Sequence, residues 1–163
     1  MERVNRILRD EEYCSYLEKN RAWEEKRPFC HHDLAHFLAV ARLTYLLLLE
    51  KDCRIISKEV AYGAGLLHDI GRWKEYERGG DHARHSAALA APILQRAGFH
   101  PAEIALITAA IGQHRLDAPE GHRSPLGEAL HKADGLARIC FSCSARQECR
   151  GLERRPQRES LIY

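Results

Sequence analysis

Apolar residues recur along this chain at three- and four-residue intervals, with almost no alternation of period two, so the pattern predicts helices and not strands. A first amphipathic helix is expected from about residue 2 to 25, with Val4, Ile7, Leu8 and Tyr13 on its apolar side and Pro28 closing it. Asp33 is a ready N-cap for a second, whose stripe is Leu34, Phe37, Leu38, Ala41, Tyr45 and Leu48. Ser57 caps a third, which carries Val60, Ala61, Ala64, Leu67 and His68 and stops near Gly71. The small residues Ala61, Gly63, Ala64 and Gly65 place that helix in tight packing at the centre of a bundle.

A polar stretch at 77–81, containing Gly79-Gly80, separates the third helix from a fourth at 82–97, with Gly98 as its natural C-terminal glycine. Pro101 opens a fifth that runs to about His114. The longest loop is expected at 115–123, around Pro119 and Gly121, and Ser124-Pro125 starts a sixth helix that reaches about Cys143. The expected fold class is therefore all-α: a compact multi-helix bundle of about six main helices. Residues 1–139 form the helical domain, and 140–163 a cysteine-containing, charged C-terminal appendage laid on the surface.

Composition narrows the class without naming it. The 163 residues suit one domain with a real core, and 45% hydrophobic with 29% charged residues is the balance of a soluble globular protein. A net charge of +2 gives no whole-surface case for specific nucleic-acid binding. The longest aliphatic run, Leu46-Leu47-Leu48-Leu49, is far too short to cross a bilayer, and no apolar secretion segment opens the chain. A cytoplasmic protein is expected, with its six cysteines reduced. Ten histidines are about twice the ordinary number, and they are clustered.

The chemistry centres on Leu66-Leu67-His68-Asp69-Ile70-Gly71, a His-Asp doublet at the end of an apolar run. His36 borders the stripe of its helix, His114 stands three residues after Ile111 on an inward face, and Asp134 follows Leu130 by four. An inward carboxylate needs a cation or strong donors, and several inward histidines with carboxylates have a metal ion as their usual partner. His82 and His85 open the fourth helix, where a second ion, a phosphate or only water can be bound. His32 forms an i, i+4 pair with His36, but His32-Asp33 lacks a preceding apolar run and Asp33 is explained as a cap. That dipeptide reads as a decoy.

The order His36, His68-Asp69, Asp134 resembles the HD-domain superfamily of metal-dependent phosphohydrolases, over about residues 29–139. The resemblance implies an all-helical fold and a metal held by His36, His68, Asp69 and Asp134. His82 with Ser86 is similar to the pattern opening the next helix in many members, and in two-metal members the positions of His82 and His114 help hold the second ion. Departures narrow the branch. Arg72 stands where nucleotidase-type members carry Glu, Arg72-Trp73 replaces the Glu-Asp of alarmone hydrolases, and the Gly-Tyr-Pro of cyclic-dinucleotide phosphodiesterases is absent. What remains resembles the small stand-alone bacterial HD proteins, whose motif names no substrate.

Such a donor set suits one or two ions of Mn²⁺, Fe²⁺, Co²⁺, Ni²⁺ or Zn²⁺. Arg72 and Lys74, and less directly Arg115 and Lys132, are candidates for neutralising a substrate phosphate, against the alternative of solvated surface charges. The expected function is metal-dependent hydrolysis, as a phosphomonoesterase or phosphodiesterase, of a small phosphorylated molecule with a nucleotide favoured. The alternative is a non-catalytic metal- and nucleotide-binding signalling module; association between copies is left open. Cys140, Cys143 and Cys149, with Cys30, are candidates for a separate Zn²⁺ or iron–sulfur site, although the spacing is not that of a zinc ribbon. Cys14 and Cys53 read as ordinary thiols.

Overall fold

The structure, a computed structural model, describes residues 1–28, 30–115, 123–149 and 151–163. Among the described residues it contains eight α-helices, three short 3-10 turns and no strand. The helices are α1 (Glu2–Leu8), α2 (Glu11–Glu24), α3 (Leu34–Glu50), α4 (Lys58–Leu67), α5 (Arg72–Arg78), α6 (His82–Ala97), α7 (Pro101–Gln113) and α8 (Pro125–Leu136). No helix among the described residues is long and apolar enough to cross a membrane. The loop expected at 115–123 lies for the most part outside the described residues.

Most boundaries follow the caps. The side chains of Asp33, Ser57 and Ser124 accept backbone N–H groups at the starts of α3, α4 and α8, and Gly98 ends α6 at φ +89°. Three expectations are corrected. The first helix is two, because Asp10 Oδ1 accepts from the N–H groups of Glu12 and Tyr13, both at 3.1 Å, and starts α2 afresh. The third does not run to Gly71: it ends at Leu67, the doublet occupies a turn, and α5 follows. The sixth stops at Leu136 instead of Cys143, where the buried Gln157 side chain donates to the Leu136 carbonyl and the chain passes into 3-10 turns.

Helix α3 lies between α4 and α8, and α6 packs on α7, around a core that includes Phe37, Leu48, Leu66, Ile93, Ile107 and Leu130. The α3–α4 crossing is close: a Cβ built on Gly65 would stand 2.4 Å from Ala41 Cα. The doublet turn is equally close to α6, where a Cβ on Gly71 would stand 2.6 Å from the Ser86 nitrogen. These two contacts set the turn carrying His68 and Asp69 between α3 and α6.

Candidate metal centre

Four helix ends bring six ionisable side chains together. His32 precedes α3 and His36 lies in its first turn; His68 and Asp69 follow α4; His82 starts α6; His114 follows α7. All six are buried. Ligand atoms of His36, His68 and Asp69 lie within 4.8 Å of one another, and so do those of Asp69, His82 and His114. Asp69 is shared by both groups. Asp134, from α8, places Oδ1 3.2 Å from His36 Nε2 and 3.7 Å from His68 Nε2.

The turn is held from outside. Asn20 on α2 donates from Nδ2 to the Asp69 carbonyl at 3.0 Å and accepts the Trp73 N–H at 2.8 Å. Ser86 Oγ accepts the Gly71 N–H at 3.0 Å, which accounts for a hydroxyl at that place on α6.

Hydrogen bonding fixes how the imidazoles face inward. A carbonyl or carboxylate only accepts, so Nδ1 of His68 donates to the Gly65 carbonyl at 2.8 Å and Nδ1 of His114 to the Ile111 carbonyl at 2.7 Å. Nδ1 of His32 donates to Glu24, whereas Nδ1 of His82 faces both the Glu75 carboxylate at 2.8 Å and the Arg72 guanidinium at 2.6 Å. In a neutral ring the Nε2 of His32, His68 and His114 then carries a lone pair, and these nitrogens meet carboxylate oxygens. His32 Nε2 lies 3.4 Å from Asp69 Oδ2, His82 Nε2 3.1 Å and His114 Nε2 3.5 Å from Asp69 Oδ1. His68 Nε2, Asp69 Oδ1 and Asp134 Oδ1 are buried without a hydrogen-bond partner.

Acceptors facing acceptors in a dry site repel, and a cation between them removes the conflict. Backbone and carboxylate partners on the outer nitrogen are also the usual support of metal-ligating histidines. The residues present therefore fit a divalent metal.

Burial decides the protonation of the rings on the α3 side. Burial pushes His36 down to about 4 against the opposing pull of Asp134, and it pushes His32 down against Glu24. His68 is also lowered by burial, but Asp69 and Asp134 outweigh that and raise it. Both Asp69 and Asp134 stay well below the ordinary carboxyl range despite burial, through the imidazoles around them. Burial likewise raises Glu24, and hydrogen bonds from His32 and Tyr76 reverse this to hold it at about 2.

A family model for the HD domain matches residues 33–139. The chain belongs to the HD domain family. This HD-domain chain is 38% identical over 149 residues to an uncharacterized protein of Clostridium beijerinckii, covering 91% of this chain and 92% of that one. It also resembles the crystal structure of a predicted HD superfamily hydrolase from an uncultured Thermotogales bacterium. There the TM-score is 0.57 with 29% identity, over 77% of this chain and 68% of that one.

Against the sequence expectations, the structure gathers His36, His68, Asp69, Asp134, His82 and His114. His85 instead donates to the Gly79 carbonyl at 3.2 Å, outside both ligand groups. His32, read as a decoy, lies inside the cluster. Its anchor is Glu24 on the preceding helix, a tertiary contact that spacing around His32 does not show.

Of the expected phosphate contacts, Arg72 Nη1 lies 2.9 Å from His82 Nε2 and Arg115 Nη1 3.3 Å from His82 Nδ1. Lys132 lines a cleft of about 760 Å³ together with His114 and Asp134, its Nζ 3.5 Å from Glu128. Lys74 Nζ lies 5.4 Å from the Trp73 ring, which is stacked on Tyr16 of α2. Sequence reasoning missed Glu24, Glu75 and Arg138, whose Nη2 stands 3.2 Å from His36 Nε2. Glu75 had a signal, one turn beyond the position where the chain carries Arg72 for an expected Glu.

Proposed function

We propose that this HD-domain protein is a metal-dependent phosphohydrolase acting on a small phosphorylated molecule, with a nucleotide as the favoured class. The observation that carries the reading is the set of buried imidazoles whose Nε2 atoms lie 3.1–3.7 Å from the Asp69 and Asp134 carboxylates. His36, His68, Asp69 and Asp134 are assigned to a first divalent ion, and Asp69 with His82 and His114 to a second. A divalent ion in such a set supplies Lewis acidity toward a phosphate oxygen and a water of lowered pKa.

The protein's own groups supply the rest. Glu24 holds the outer nitrogen of His32, so that ring keeps one tautomer, and Glu75 orients His82. Arg72, Arg115 and Arg138 stand beside the cluster as fixed positive charges for phosphate oxygens. The adjoining cleft has the size of a small-molecule pocket and is lined by Arg115 and Lys132.

The test is metal analysis of the purified protein, with a phosphate-release screen over nucleotides and sugar phosphates and Asp69→Ala as control. The expected result is bound transition metal and release from a subset of substrates; in Asp69→Ala at unchanged helicity, release is lost and the metal content falls. Metal below about 0.1 equivalent, with no uptake on loading, overturns the reading.

One observation favours a second reading, a metal- and nucleotide-binding module without turnover. The Arg72 guanidinium, 2.9 Å from His82 Nε2, stands where the second ion would bind. That reading expects nucleotides to raise the melting temperature of the metal-loaded protein while no phosphate is released.

A further inference from the structure

Four of the six cysteines line two adjoining depressions at the start of α3. Cys30 comes from the segment before α3, and Cys140, Cys143 and Cys149 from the 3-10 turns Cys140–Ser142 and Arg146–Glu148 and the residues after each. Cys30, Cys140 and Cys143 line one depression; Cys30 and Cys149 line the adjoining one. Cys30 stands where the two join, and all four are free thiols.

Packing does not account for them. Only Cys140 is buried; the other three are half-buried. Burial pushes the Cys140 thiol up, Arg155 opposes, and the thiols of Cys30 and Cys149 push it further. Cys30 adopts φ +58°, a left-handed conformation that costs a residue with a Cβ of order 1 kcal/mol and that Gly would take freely.

The segment the cysteines would anchor also lacks a core of its own. Among the described residues of 138–163, only Cys140, Ala145 and Gln157 are buried. Hydrogen bonds through Gln157 tie the later part of the segment to α8 and to Phe141, and small segments with so little apolar burial commonly rely on disulfides or metal as well.

We propose that Cys30, Cys140, Cys143 and Cys149 form a tetrathiolate metal centre, separate from the His/Asp cluster, that clips the C-terminal turns to the start of α3. The ligand class is a thiophilic centre, a single Zn²⁺ or an iron–sulfur cluster, each of which takes four thiolates. The thiols lose their protons on binding, and Arg138 and Arg155, which line the same depression as Cys30 and Cys149, offset the resulting negative charge. No three of the sulfurs lie within 4.8 Å of one another in the structure. Zn–S bonds of about 2.3 Å would place them ~3.8 Å apart, so zinc draws the turns inward, whereas a cluster spans a wider set. The clip has a location with consequences: the pocket lined by Cys30 and Cys149 is also lined by His32, Arg72, Arg138 and Arg155.

The proposal stands independently of the phosphohydrolase reading, and its test separates the two. Metal content and visible absorption are measured on anaerobically purified full-length protein, on Asp69→Ala and on Cys143→Ser/Cys149→Ser. The expected result is a metal fraction that survives in Asp69→Ala and is lost in the cysteine variant. About one zinc per chain without visible absorption, or several irons with it, tells the two ligand types apart. Full retention of metal by a folded cysteine variant overturns the proposal.

Should that variant not fold, alkylation of the wild type followed by mass spectrometry decides. The four cysteines are expected to resist reagent while Cys14 reacts at once, and to react together after chelation. Reaction of Cys143 and Cys149 as fast as Cys14, or a mass deficit showing disulfides among them, overturns it.

Discussion

Gly65→Ala is a sharp test of how the fold positions the centre. The added Cβ would stand 2.4 Å from Ala41 Cα and 2.5 Å from the Ala41 nitrogen, both backbone atoms of α3. Carbon atoms in contact prefer about 3.5–4 Å, so α3 and α4 must part by roughly 1 Å or more. Overpacking of a core costs about 1–3 kcal/mol, occasionally more, and the unyielding backbone puts this site at the upper end. The gain in helix propensity from Gly to Ala returns about 1 kcal/mol. The net is a loss of about 2 kcal/mol, or roughly 4–8 °C in melting temperature for a domain of this size.

The same movement reaches the ligands. His36 lies on α3 five residues before Ala41, and His68 donates to the Gly65 carbonyl itself. Metal affinity is therefore expected to fall about 10- to 100-fold, as when a ligand's supporting contact is lost. Thermal unfolding by circular dichroism and metal titration by calorimetry measure the two effects. Gly112→Ala is the control, since its Cβ would meet Ala87 Cβ at an ordinary 4.0 Å, and it should be neutral or stabilising. A Gly65→Ala protein that melts at or above wild type, or binds metal equally well, refutes the reasoning.

Removal of metal by a chelator should lower the melting temperature, because the facing lone pairs and carboxylates lose their cation; at a hundred times Kd the linkage is about 2.7 kcal/mol, or roughly 5–10 °C. An unchanged melting curve would show that the native state binds no ion. Glu24 sits at about 2 in the folded protein against an ordinary 4.5, so its contribution to stability is complete above pH 4.5 and is lost as the pH falls toward 2. Urea unfolding of Glu24→Gln across this range should show a shallower pH dependence than wild type, by up to about 1.4 kcal/mol per pH unit; parallel curves would contradict the assignment. Arg138→Ala should leave bound metal unchanged and raise KM for a phosphorylated substrate about 10- to 100-fold, as expected for a lost charge-assisted hydrogen bond. A fall in metal content at unchanged KM would place Arg138 in support of His36 instead.

The doublet, its partners His36 and Asp134, and the caps at Asp33, Ser57 and Ser124 were legible because each is local: a polar group placed against an apolar period. What escaped depends on contacts between distant segments. Helix α5 has seven residues and buries none of them, so no apolar stripe marks it, and it is held by Asn20 from α2 and by the doublet turn. His32 looked idle because Glu24, which turns its ring inward, lies eight residues earlier on another helix. Arg138 follows the end of α8, where the sequence suggested an unbroken helix to Cys143; the early stop brings its guanidinium back over His36.

Asn20 and Glu24 give α2 a part in the centre although they contribute no proposed ligand. Asn20 ties the Asp69 carbonyl to the Trp73 amide, and Glu24 orients His32. Both lie outside the stretch 33–139 that matches the family model. The working unit is thus larger than the matched one. A fragment trimmed to those limits would keep His36, His68, Asp69, His82, His114 and Asp134, yet lose the brace behind the doublet. The boundary that matters for dissecting this protein is the break at Asp10, where α2 begins.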